Sequence, residues 1–187
     1  KCKALMELDV SGTDIESLAP LKGTTKLKKL NLASTKVTEL GALVSLKRLN
    51  TLIADHNAIT SVKPLGKMKS LREVDVSYNQ ITSITAFTDM KWLWELNVVG
   101  NDLDSLEALA HMSQMRKLGV PAKSLTGLEH WVNMRELETL TLDGGLEQLD
   151  YSQASQWPAL RSLSITNASL YNTGFFDRLT SLDSLTL

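Results

Sequence analysis

A period of 22 residues runs through nearly all of this 187-residue chain and narrows what it can fold into. Leu27, Leu30, Leu32, Val37 and Leu40 recur as Leu49, Leu52, Ala54, Ile59 and Val62. They recur again as Leu71, Val74, Val76, Ile81 and Ile84, then as Leu93, Leu96, Val98, Leu103 and Leu106. A fixed repeat of this length describes a solenoid, because one coil cannot bury its apolar face without neighbours. The short x-L-x-L-x core of each coil alternates apolar and polar residues, the period-2 signal of a strand with one buried face. Since every coil has the same register, successive strands should pair in parallel at about 4.8 Å. Leu30, Leu52, Val74, Leu96, Leu118, Leu140 and Leu163 then stack inward, and the residues between them face out on a concave surface.

The second half of each coil places apolar residues three apart: Val62, Leu65 and Met68; Ile84, Phe87 and Met90; Leu106, Leu109 and Met112; Leu128, Trp131 and Met134. That spacing suits a 3₁₀ turn or a single helical turn, and the coil is too short for more. Met68, Met90, Met112 and Met134 form one column, expected to pack the convex layer and not to form an adaptable binding stripe.

The coil consensus L-x-x-L-x-L-x-x-N/T-x-I/L-x-x-L resembles the leucine-rich repeat family, most closely in LREVDVSYNQITSI (71–84) and LWELNVVGNDLDSL (93–106). Eight coils open at Leu5, Leu27, Leu49, Leu71, Leu93, Met115, Leu137 and Leu160, with a shortened ninth from Leu182. The 22-residue length is similar to the bacterial internalin-type and SDS22-like subclasses. The resemblance implies an α/β repeat fold: a right-handed horseshoe with a parallel β-sheet on the concave face and short 3₁₀ or helical turns on the convex face. It also implies a single repeat domain over residues 1–187, and a protein-binding role as scaffold or regulatory subunit. Recognition at a bacterial surface, or targeting within a multidomain enzyme, are the alternatives. Chain ends that expose coil edges without a polar cap suggest a piece of a longer protein.

In the family an asparagine column satisfies the backbone of the turn leaving each strand. Here Asn57, Asn79 and Asn101 occupy it, and an amide supplies both donor and acceptor. Thr13 and Thr35 precede them and can replace part of that bonding; Lys123 and Ala168 follow and cannot. Pro121, Gly144-Gly145 with an early Leu146, and Trp157-Pro158 mark coils six and seven as irregular.

A formal charge of −1 and a pI near 6.4 give no electrostatic footprint for nucleic acid. No apolar run reaches membrane-spanning length. Cys2 is the only cysteine, so no intramolecular disulfide can form; an intracellular setting and a bacterial secreted one are both consistent with that. No cofactor or metal is expected, since phosphate-binding glycine loops and metal-ligand spacings are missing. His56, His111 and His130 are scattered. A Ser77–His56–Asp relay can be drawn, but on an open sheet without oxyanion donors it makes a poor catalyst, and no enzyme activity is expected.

Function is therefore sought on the concave surface. Its outward positions include Glu7, Asp9, Asp55, Glu73, Asp75, Glu95 and Asp143 against Lys29 and Lys117, an acidic face that would steer a protein partner with a basic surface. In coils three to five, Ile53 and Val99 stand where polar residues dominate elsewhere. His56 and Tyr78 follow on the rim, and Trp94 takes the position held by Arg72 and Arg116 in the flanking coils. Aromatic anchors ringed by charge resemble the layout of a protein interface. The expected partner-binding set is Ile53, Asp55, His56, Asp75, Tyr78, Trp94, Glu95, Asn97 and Val99, on a chain that acts as a monomer.

Overall fold

The computed structural model describes residues 2–124, 131, 133–144, 157–168, 176–177 and 179–187. Leu128, His130, Gly145 and Leu146 lie outside the described residues. Among the described residues, nine strands form one parallel sheet in strict sequence order. They are β1 (Glu7–Asp9), β2 (Lys29–Asn31), β3 (Thr51–Ile53), β4 (Glu73–Asp75), β5 (Glu95–Asn97), β6 (Lys117–Pro121), β7 (Thr139–Asp143), β8 (Ser162–Thr166) and β9 (Ser184–Thr186). The register repeats the sequence period: Leu8 aligns with Leu30, Leu30 with Leu52, Leu52 with Val74, Val74 with Leu96 and Leu96 with Leu118. One step is longer. Leu140 aligns with Leu163, so the coil between β7 and β8 carries one residue more than the 22-residue period.

In β1 to β5 the strands stop at three residues, where the chain turns inward to deliver the next apolar side chain. Leu32, Ala54, Val76 and Val98 follow their strands and are fully buried, as are Val37, Ile59 and Ile81 on the return path. On the convex side, 3₁₀ turns occupy Gly41–Ser45, Lys63–Lys67, Thr85–Phe87 and Glu107–Leu109. Their i→i+3 hydrogen bonds run from the Leu65 N–H to the Val62 carbonyl (2.9 Å) and from the Met68 N–H to the Leu65 carbonyl (2.8 Å). The apolar residues three apart thus fall on one side, toward the core. Met68, Met90, Met112 and Met134 are all buried there, which makes the methionine column packing. Trp131 and Trp157 fill the same layer farther along, their rings 6.2 Å apart.

The asparagine column forms a ladder that ties coil to coil. Asn79 Nδ2 donates to the carbonyls of Ala54 (2.9 Å), Val76 (3.0 Å) and Ser77 (3.0 Å), and its Oδ1 accepts the Ile59 N–H (2.9 Å). Asn101 repeats this one coil on, reaching the carbonyls of Val76, Val98 and Val99 and the N–H of Ile81. Asn57 bonds the carbonyls of Leu32, Ala54 and Asp55, but its Oδ1 accepts both the N–H and the hydroxyl of Thr35. The threonine intercepts an oxygen that otherwise reaches two residues deeper. The ladder stops at Lys123, whose ammonium leaves the column to bond Asp102. From there β6, β7 and β8 run to five residues, with Pro121 aligned with Asp143 at the ends of β6 and β7.

Candidate functional site

The concave face is lined by alternate strand residues, and their side chains bond mainly to one another. In the first strand position, Lys29 faces Glu7 at 3.9 Å, the Thr51 hydroxyl donates to Glu73 (3.1 Å) and Lys117 pairs with Glu95 (3.2 Å). In the third position, Asp9 accepts the Ser11 N–H (2.9 Å) and hydroxyl (2.7 Å) on one oxygen and the Asn31 amide (3.1 Å) on the other. Asp75 does the same with Ser77 (2.9 and 2.6 Å) and Asn97 (3.0 Å). Asn31 and Asn97 in turn accept the N–H groups of Ala33 and Val99. These Asx turns guide the chain out of β1, β2, β4 and β5, and an Asp or Asn at the third strand position is their sequence signal. The backbone N–H of Ser11, then its hydroxyl, holds the Asp9 carboxyl below the usual carboxylate range.

Ile53 breaks the Asp/Asn row. With no acceptor at that position, coil three has no Asx turn; Ile53 is instead an exposed apolar side chain (36 %). Asp55, at the place of Ser11 and Ser77 in their coils, turns to the His56 ring (Oδ2 to Nδ1, 2.7 Å). His56 stacks on Tyr78 of the next coil with ring centroids 4.5 Å apart and planes 25° from parallel. The Tyr78 ring in turn lies over Gly100, where a Cβ would meet it.

At this rim the backbone is left-handed in five successive coils. Gly12, Ser34, His56, Tyr78 and Gly100 stand at one repeat position, and all have positive φ: 66°, 53°, 53°, 50° and 67°. The left-handed conformation suits glycine and strains bulkier residues by roughly 1–2 kcal/mol. Glycine at both Gly12 and Gly100, four periods apart, was the available signal. His56 and Tyr78 are therefore large rings held where the backbone favours none, and Tyr78 remains 46 % exposed.

Two expectations need correction. Val99 is not an exposed anchor: it is 5 % exposed. The neighbouring strand carries Gly119, close enough that a Cβ there would stand 3.2 Å from Val99 Cγ2 and 2.5 Å from Asn97 Oδ1, so the glycine lets β6 close over both. Nor does Trp94 join the His56–Tyr78 patch. It precedes β5, whereas the stacked rings follow their strands, so roughly 10 Å of strand separates the two ends. Trp94 is half-buried and lines an open groove of about 660 Å³ with Arg72, Lys91, Trp92, Gln114 and Arg116; Trp92 packs against the core. Ile53, Asp55, His56, Asp75, Tyr78, Glu95 and Asn97 remain on the concave face or its rim.

The serine relay is not assembled. Ser77 is buried and its hydroxyl donates to Asp75, while the His56 ring nitrogen bonds Asp55. Among the described residues no group of three metal-ligating side chains converges, and no helix is long and apolar enough to cross a membrane.

This architecture, an ordered parallel sheet backed by 3₁₀ turns and an asparagine ladder, is that of a leucine-rich-repeat solenoid. Residues 47–89 match the family model described as leucine rich repeats (2 copies). Among solved structures, an internalin (inlF) from Listeria monocytogenes superposes with a TM-score of 0.75 at 19 % identity, over 99 % of this chain and 62 % of that one. The functional domain of InlJ from the same organism, which includes a cysteine ladder, gives 0.74 at 23 % identity over 97 % of this chain and 44 % of that one. With Cys2 alone, this chain can build no cysteine ladder. The TLR13–ssRNA13 complex gives 0.69 at 19 % identity, over 96 % of this chain and 32 % of that one. The chain thus spans less than two thirds of the length of each of these relatives. No curated protein sequence matches it.

Proposed function

We propose that this chain is a non-catalytic recognition module, acting as a monomer, that binds a polypeptide partner on the concave face of coils three to five and on the rim that follows β3 and β4. The observation that carries this reading is the His56–Tyr78 stack: two rings in left-handed backbone, partly exposed, beside the exposed Ile53. Uncovered aromatic area costs stability, and that cost is offset when a partner covers the rings. Around them Asp55, Glu73, Asp75 and Glu95 present acid, with Asn97 supplying amide contacts, so the partner surface should carry basic residues. Pairing of Glu95 with Lys117 and of Asp75 with Ser77 and Asn97 fixes these groups in place and limits how much charge they offer. A scaffold or regulatory role follows from a face built for contact without chemistry.

The test is an affinity capture from the source lysate with wild-type protein and with Tyr78→Ala. Truncating a central aromatic anchor costs about 2 kcal/mol or more, roughly a thirtyfold loss of affinity. Loss of a captured protein, with binding weakened by salt, supports the reading. Equal recovery by both proteins refutes it.

A further inference from the structure

We propose that the groove at the other end of the strands is a second binding site, and that it takes an acidic polypeptide segment presenting an apolar side chain beside its carboxylates. Three cations, Arg72, Lys91 and Arg116, share the groove with Trp92, Trp94 and Gln114, and among the described residues no carboxylate lines it. Its volume of about 660 Å³ falls within the range that holds a ligand-sized group, about 300–1,000 Å³. The cations are held ready. One Arg72 amino group donates to the carbonyls of Lys69 (3.0 Å) and Leu71 (2.9 Å), which fixes the guanidinium and leaves its other donors unassigned. Arg116 pairs with Glu136 only at 4.0 Å and is about half exposed (54 %). Lys91 makes no ion pair among the described residues.

Arg72, Trp94 and Arg116 stand at the same repeat position on three successive coils, so the indole is flanked by a guanidinium on either side. Guanidinium groups grip carboxylates in a bidentate fork, and an indole face buries an apolar side chain between them. A nucleic acid strand fits less well. Its phosphates call for an extended basic track, whereas Glu73 and Glu95 follow directly after Arg72 and Trp94, and Glu136 stands beside Arg116. The positive region is local, with room for one or two carboxylates. It also lies across β5 from the acidic, aromatic rim, so the two ends of the strands select opposite charges, and this site does not depend on the concave reading.

The experiment uses fluorescence anisotropy with a fluorescein-labelled peptide of alternating Glu and Phe. A Lys/Phe peptide and a short poly-thymidine strand serve as competing probes, each at low and near-physiological salt. The acidic peptide should bind and change tryptophan emission. Arg116→Glu and Trp94→Ala should each weaken it by about tenfold or more, as expected for loss of a charge-assisted contact or an aromatic platform. Lys22→Glu, an equal charge change on an exposed lysine elsewhere, should leave binding within twofold. Circular dichroism melts confirm folding; if Trp94→Ala is destabilised, the half-exposed Arg116→Glu decides. The proposal is overturned if the acidic peptide does not bind, if either other probe binds as tightly, or if Arg116→Glu binds like wild type.

Discussion

Replacing Asn79 with alanine removes the central rung of the ladder, and its cost can be worked from the bonds that remain. The three carbonyls served by the amide each keep another donor. Ala54 retains Asn57 Nδ2 at 3.1 Å, Val76 retains Asn101 Nδ2 at 3.0 Å, and Ser77 retains the His56 N–H at 3.1 Å. The Ile59 N–H loses its partner, the Asn79 Oδ1 at 2.9 Å, in a buried position. One orphaned buried donor costs about 1–3 kcal/mol, and the thinning of three carbonyl contacts places the total in the upper part of that range, about 2–3 kcal/mol. Asn57 is half-buried, and water can replace its contacts to Thr35, so Asn57→Ala should cost only about 1 kcal/mol. Urea unfolding followed by circular dichroism gives both values. Amide hydrogen exchange adds a local reading, because the Ile59 proton should exchange faster in Asn79→Ala than in wild type even if the coils do not unfold as one unit. An Asn79→Ala cost below about 0.5 kcal/mol, or one no larger than that of Asn57→Ala, would refute the reasoning from single-partner donors.

On the convex side, a Cβ at Gly66 would stand 2.6 Å from the Ala86 backbone oxygen of the next coil, and backbone cannot swing aside. Gly66→Ala should therefore destabilise by about 1–3 kcal/mol in thermal melts, while Gly41→Ala, with open space around it, should be neutral or slightly stabilising. Asp9 and Asp102 should titrate below 3.8 in a carboxyl-carbon NMR titration, Asp9 because of Ser11 and Asn31, Asp102 because of Lys123. A depressed folded pKa means that each contribution to stability is present above the unfolded value and is lost as pH falls through the folded one. Lys123→Ala should return Asp102 toward 3.8; Ser11→Ala should move Asp9 only part way, because the backbone N–H, the larger cause, stays.

The period alone was enough to place the coils, the inward leucines, the 3₁₀ spacing of Val62, Leu65 and Met68, and the asparagine rungs. The reason is geometric: in a solenoid each residue stacks on the one a coil later, so tertiary contact is written into sequence spacing. Val99 shows where that stops. Its position in the repeat reads as exposed, yet it is buried, with Gly119, the glycine facing Asn97 from the next strand, letting β6 approach. The acidic face reads as free charge, yet Lys29, Lys117, Ser11 and Ser77 each hold one of its carboxylates. Trp94 and Tyr78 sit on adjacent coils and read as one patch, but β5 puts them at opposite ends of a strand. What the sequence determined by itself was the coil and its stacking, because those follow from a repeated apolar pattern. The stacking of the His56 and Tyr78 rings and the separation of two unlike sites were decided only by the tertiary structure, because they depend on side-chain contacts between coils that no periodicity encodes.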